Sequence, residues 1–219
     1  MIKTFRKVIG STLVSMLLLT TPMASVGHAH PAMIKKMLAA HALWLGTHGL
    51  AGKRANFREM DLSSHNMIHV ELAFAELRIS NLSDIDLRWA NLCNAILSGS
   101  NFSGADLGEA DLSGATLTNA YLNGTDLTGA NLKGASLAMA DLSGALLRFA
   151  DLTNADLSGA DLREVDLTGA ILNGTKLQSA RRLTIPMLSK AKTLRGSNLD
   201  PQLKRTLQDL APHLFEPSE

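Results

Sequence analysis

The chain has 219 residues, with 21 Lys/Arg against 20 Asp/Glu, seven His and a single Cys. One Cys excludes a disulfide framework and a four-Cys zinc site, and a net charge of +1 shows no overall basic bias toward nucleic acid. Hydrophobic residues make up 46% but aromatics only 4%, so the apolar mass is Leu and Ala rather than the bulky mixture of an ordinary core. The near-neutral total hides a partition. Residues 1–54 carry seven basic side chains and no acid, residues 55–179 carry seven basic and 16 acidic, and residues 180–219 carry seven basic and four acidic. An acidic middle lies between two basic ends.

Lys3, Arg6 and Lys7 precede an apolar stretch, Val8 to Leu19, and then Pro22 and a run of small residues. That order is the plan of a secretory signal peptide, and the apolar stretch is too short to span a bilayer. Small residues at Gly27 and Ala29 place cleavage after Ala29 first and after Gly27 second, so residues 1–29 are expected to be a signal peptide and the product periplasmic or secreted. No other stretch is long and apolar enough to span, so no membrane span is expected after cleavage. Pro31 then suits a helix start, and Ile34, Met37, Leu38, His41 and Leu45 recur at helical spacing. The spacing predicts a helix over roughly 31–45, ended by Gly46, Gly49 and Gly52, within an N-terminal segment 30–54.

From residue 55 the chain reads in fives. The central positions run Phe57, Leu62, Met67, Leu72 and on to Leu177, Leu at each except Phe57, Met67 and Phe102. A small residue, usually Ala, sits two before each centre, and Asp or Asn is common one before. A period of five fits neither an α-helix nor a flat strand. It does fit short extended segments joined by turns, with Ala and Leu pointing one way, Asp the other, and Ser-Gly or Thr-Gly at the corner. Four such sides close a coil of 20 residues, and coils stack at strand spacing, about 4.8 Å. The bore then admits Leu and Ala and little else.

Ala105-Asp106-Leu107-Gly108-Glu109 and Ala155-Asp156-Leu157-Ser158-Gly159 closely resemble the pentapeptide-repeat family, whose pattern is A(D/N)LXX, and the resemblance covers 55–179 without a gap. It implies an all-β solenoid, a right-handed quadrilateral β-helix of about six coils, which needs short α-helical caps at both ends to hide its terminal core. The 31–45 helix is one. After Leu177 the register stops. Thr184 and Pro186 suit a short helix within an excursion over 180–191, and Leu194 and Leu199, again five apart, suggest a resumed half-coil at 192–199. Asp200-Pro201 is an N-cap followed by an N1 proline, starting a helix with Leu203, Leu207 and Leu210. Its apolar face either closes the rod or pairs with a second copy, so a homodimer through this helix is an expectation by analogy with relatives.

Nothing in the repeat has the form of a catalytic site. The serines after the centres, such as Ser63, Ser103 and Ser143, are repeat decoration with no His beyond residue 69 in the acidic body. There is no Gly-rich phosphate loop. His65 and His69 have a metal spacing only on a helix and lack a third ligand, and Cys93 is an outward turn residue. No enzyme activity, cofactor, metal or nucleic-acid ligand is expected.

The outer surface is more informative. Positions 20 apart stack, so Asp86, Asp106 and Asp126 form a ladder with Glu109 nearby, and Asp141 stacks on Asp161. Such a surface attracts a basic partner, and mutual repulsion should raise some of these pKa values. Arg88-Trp89 and Arg148-Phe149 lie three coils apart at the same turn position, and Leu146 replaces an expected Asp beside Phe149. Large apolar side chains flanked by Arg at outward positions are the composition of an interaction hot spot. The expected function is a non-enzymatic exported scaffold that binds a protein through Asp86, Arg88, Trp89, Asp106, Glu109, Asp126, Leu146, Arg148 and Phe149. The alternative, implied by quinolone-resistance relatives, is a DNA-mimicking rod that protects a type II topoisomerase. The export signal and the absence of loop insertions argue against it.

Overall fold

The computed structural model describes residues 29–216; the segment expected to be a signal peptide lies outside the described residues except for Ala29. The repeat forms a solenoid. Each pentapeptide contributes a single parallel bridge at the position before the centre, and the partner lies 20 residues on: Asn56 with Glu76, Asp86 with Asp106, Asp106 with Asp126, and so on to Asp161 with Arg181. Four pentapeptides therefore make one circuit. The centres and the small residues two before them point into the bore, with Leu92, Phe102, Leu112, Ala130 and Leu132 among those wholly shielded from solvent.

The five-residue pattern follows from the backbone's need to place every N–H. In Ala105–Glu109, Ala105 N–H donates to Phe102 O (2.9 Å), Asp106 N–H to Ile85 O on the coil below (2.9 Å), and Leu107 and Glu109 N–H to Asp126 O and Thr128 O on the coil above (2.7 and 2.9 Å). The remaining N–H, of Gly108, donates to the Asp106 carboxylate at 3.0 Å. The same side-chain bond recurs at Asp61, Asn91, Asp126, Asp151 and Asp161. Asp and Asn are favoured before the centre because a short side chain there accepts the one donor that neighbouring coils leave over. Where the small position holds a hydroxyl it too is satisfied: Thr125 donates to Phe102 O and Thr175 to Leu152 O, both at 2.8 Å.

The corner residue two after each centre is left-handed (Trp89 φ 56°, Phe149 φ 58°, Gly169 φ 70°). Its side chain reaches over the corner above, which is why a large residue is often followed 20 residues on by Gly. A Cβ at Gly169 would lie 2.5 Å from the Phe149 ring, and one at Gly159 2.5 Å from Met139 Sδ.

Helix α1 (Pro31–Gly46) lies at the N-terminal end, where the His30 ring accepts the Ala32 N–H and Ile34 and His41 are buried. His41 Nδ1 accepts the Ala55 N–H at 3.1 Å, and the ring stacks on Trp44, which meets Phe74 of the repeat edge-on. Burial holds the His41 pKa below the usual imidazole value. Ala29 also belongs to this folded end: it is buried and donates its N–H to Asp61 O. At the other end α2 (Ile185–Leu188) takes the place of one side of the coil. The ladder then resumes two residues out of step, Ile171 pairing with Thr193 and Lys176 with Asn198. Helix α3 (Pro201–Leu210) follows. Its Leu207 is buried, and Leu214 O beyond it accepts the Leu194 N–H of the last coil. Among the described residues no helix is long and apolar enough to cross a membrane.

Candidate functional site

One face of the solenoid carries the sequence candidates. Asp86, Asp106, Asp126, Leu146 and Asp166 are successive bridge partners on it, so the expected stacking is present. Trp89 and Phe149 project from its corner, 48% and 66% exposed, and stand about 14 Å apart along the axis at strand spacing. Trp89 is supported from two sides: His69, one coil below, stacks on it with centroids 5.1 Å apart, and the Arg88 guanidinium lies 5.6 Å from its ring centre. The 20-residue offset that sets His69 one coil before Trp89 is realised as this ring stack.

At Asp86 and Asp141 the expected rise in pKa is not what the structure has. Asp86 is held below the ordinary carboxylate range, because Arg88 grips it through two nitrogens (3.0 and 2.7 Å) while the Arg88 N–H also bonds it. Arg88 reaches on to Asp106 at 3.4 Å, so a cation sits between the first two rungs. Asp141 is likewise low: burial opposes its charge, but bonds from Ser143 outweigh that. At these two carboxylates the donors and arginines that the turn places beside them outweigh the repulsion between rungs.

Leu146 offers no acceptor to the Arg148 N–H. Arg148 turns upward instead and binds Asp166 at 2.5 Å. Thr168 and Arg148 together bring Asp166 down to about 2. Its stabilising contribution is present above the ordinary carboxyl pKa near 4 and is lost as pH falls through about 2. The melting-temperature difference between the wild type and Asp166→Asn, followed from pH 7 to pH 1.5, is expected to be largest above pH 4 and to vanish near the lower limit.

Between the aromatics the surface is acidic. The corner positions there are Glu109 and Gly129, and the Glu109 carboxylate lies over Gly129. Among the described residues no ion pair engages Glu109 or Asp126. His65, half-buried, is apart from this surface, its ring near Leu62 O and Ser63 O. Cys93 is half-buried on the next face, its sulfur accepting from Asn94. Among the described residues no group of three or more His, Cys, Asp or Glu side chains could hold a metal.

A family model for pentapeptide repeats matches residues 80–119, 110–148 and 145–181, in eight copies. HetL, a pentapeptide-repeat protein of the cyanobacterium Nostoc involved in heterocyst differentiation regulation, is 30% identical over 71% of this chain and 93% of its own, with a TM-score of 0.21. The chain belongs to the pentapeptide-repeat family. Two further solved structures are similar to this chain. A trypsin-treated form of QnrB1, a plasmid-mediated fluoroquinolone resistance protein, is 21% identical over 73% of this chain and 84% of its own, TM-score 0.46. A pentapeptide-repeat protein of the Arabidopsis thaliana thylakoid lumen is 27% identical over 52% and 74%, TM-score 0.24. No curated protein matches the chain.

Within this pentapeptide-repeat rod, Leu146 departs from the family pattern at a cost. It forgoes the side-chain acceptor and leaves an apolar group half-buried, as Ile96 and Ile171 do at the same position. Leu146→Asn is expected to restore the bond, worth about 1 kcal/mol, and to raise the melting temperature by about 2–4 °C. A thermal melt of the two chains measures it.

Proposed function

We propose that this chain is an exported, non-enzymatic interaction scaffold. In this reading it is a right-handed quadrilateral rod of about six coils, closed by α1 at one end and by α2 and α3 at the other. It binds a protein partner through the face that runs from Asp86 to Phe149. The observation that carries the proposal is the pair of exposed rings, Trp89 and Phe149, set three coils apart on one corner. Leu146 adds apolar surface beside Phe149, at a position where Ile96 and Ile171 are likewise apolar on other faces. Trp89 and Phe149 each hold a left-handed corner, as Phe74, Ile79 and Met139 do on other faces, a conformation that costs a non-Gly residue energy. Partner chemistry follows from the face: two aromatic anchors, each beside an arginine, flank Asp106, Glu109 and Asp126, which suits a basic segment with apolar residues at either end.

Export rests on Lys3, Arg6, Lys7 and the apolar stretch Val8–Leu19. Because Ala29 packs into the folded end, cleavage after Gly27 preserves that packing and cleavage after Ala29 forfeits it. Cell fractionation with N-terminal sequencing tests the compartment. A lumenal or periplasmic product beginning at His28 is the expected result, and a full-length cytosolic chain would contradict export. Capture of proteins from that compartment by the immobilised rod tests the binding face. A specific partner should be retained by the wild type and released by Trp89→Ala/Phe149→Ala, and equal retention by both would contradict the assignment.

A further inference from the structure

The α1 end of the rod has a chemistry of its own, distinct from the partner face. Residues 29–58 contain Lys35, Lys36, Lys53, Arg54 and Arg58 and no acid; the first carboxylate is Glu59. Arg58 pairs with Glu59 and Arg54 approaches Glu76. Lys35, Lys36 and Lys53 are exposed and make no ion pair among the described residues. On α1 the side carrying Ile34, Met37, Leu38 and His41 faces the core. The opposite stripe is Ala32, Lys36, Ala39 and Leu43, flanked by Met33 and Lys35.

Beyond α1 the loop is pinned back over the helix. Thr47 Oγ1 donates to Leu43 O at 2.7 Å and accepts the Ala51 N–H at 2.9 Å. Gly49 lies against the Trp44 indole, and a Cβ on Gly52 would come to 3.0 Å from Leu43 Cβ. The tip of this fixed loop is Leu50, 91% exposed, with Leu43 at 47% and Met33 at 43% on the same end. A loop held this firmly presents its leucine to the surroundings.

We propose that this end is a docking surface for an anionic lipid bilayer. The rod stands with Leu50, Leu43 and Met33 entering the headgroup boundary and Lys35, Lys36 and Lys53 among the phosphates. The charge argues for lipid. The segment 29–58, with no acid of its own and three lysines outside any ion pair among the described residues, repels a second copy of itself, and a purely apolar protein groove would leave those lysines without a counter-charge. Lysine stems reaching past exposed aliphatic groups suit the headgroup layer. The binding is peripheral and reversible, and it turns on salt as well as on apolar contact.

The test is co-sedimentation of the full chain with vesicles of phosphatidylcholine containing 30% phosphatidylglycerol, and with pure phosphatidylcholine. Three proteins are compared: the wild type, Lys35→Glu/Lys36→Glu/Leu50→Ser, and a matched control at the opposite end, Lys190→Glu/Lys192→Glu/Leu210→Ser, where both lysines and Leu210 are also exposed. Each lysine near an anionic surface is worth about fivefold in partition, so the α1-end variant should bind anionic vesicles at least about 25-fold more weakly than the wild type. The control should match the wild type, and binding to pure phosphatidylcholine should be weak. Equal binding by wild type and α1-end variant, equal loss in both variants, or undiminished binding to neutral vesicles would overturn the proposal. So would salt-sensitive self-association without vesicles that the α1-end variant abolishes. The same three chains begun at His28 remove any contribution of residues 1–27, and a signal that disappears from the wild type with those residues counts against the proposal. All substituted side chains are exposed, and a thermal melt checks that each variant is folded. If a triple variant melts low, Leu50→Ser and Lys36→Ala are measured singly, and the same direction of change is required.

Discussion

Ala130→Leu is expected to lower the stability of the rod by about 3 kcal/mol, at the upper end of the range for overpacking. Ala130 is wholly buried beside Leu127 and Leu132, and its backbone is fixed on both sides: its N–H goes to Leu127 O and its carbonyl accepts the Asp151 N–H of the next coil. Extra methylenes there have no direction in which to go, because the coil cannot widen without stretching its bridges above and below. Leu132→Ala leaves a void instead and is expected to cost about 2–5 kcal/mol. The two substitutions differ in where the damage appears. In a solenoid each coil touches only its neighbours, so native-state hydrogen exchange should show faster opening confined to the coils on either side of residues 130–132, while the α1 end keeps its protection. Denaturant titration gives the magnitude. A stability change under 1 kcal/mol for Ala130→Leu would mean the bore is roomier than described.

The same bore explains what could be read from the sequence and what could not. A period of five with Leu at the centre and Ala two before it has few physical solutions. It predicts stacked four-sided coils because the period is unbroken from Phe57 to Leu177. The pairing of Ile171 with Thr193, two residues out of step, was not legible: the shift depends on how α2 substitutes for a side of the coil. The site was legible only in part. Asp86, Asp106 and Asp126 stack as the 20-residue offset requires. The environment of Asp86 was misjudged, because Arg88 grips it and reaches Asp106 as well. Asp166, which holds Arg148 in place, lies in a neighbouring coil where a reading along the chain has no reason to look, whereas His69 stands at the one-coil offset before Trp89 that the repeat gives, and only its stacking on the ring required the structure.

Trp89→Ala/Phe149→Ala should have the larger functional effect. Truncating an aromatic anchor costs at least about 2 kcal/mol of binding, so the pair is expected to weaken a partner at least 100-fold even with some non-additivity. The fold should notice little. Both rings lie outside the bore, and exposed substitutions of this kind usually fall within about 0.5 kcal/mol. Ile79 and Met139 provide the control. They occupy the same corner position on a different face, are 57% and 60% exposed, and neither is aromatic.

The most direct measurement of the account is quantitative capture from the compartment in which the chain resides, using immobilised wild type, Trp89→Ala/Phe149→Ala and Ile79→Ala/Met139→Ala at equal loading. The account predicts that the wild type and the Ile79/Met139 variant retain the same partner and that the Trp89/Phe149 variant loses it while melting within about 2 °C of the wild type. Retention of that partner by the Trp89/Phe149 variant at wild-type level, or its loss from both variants alike, would contradict an interface on the Asp86–Phe149 face.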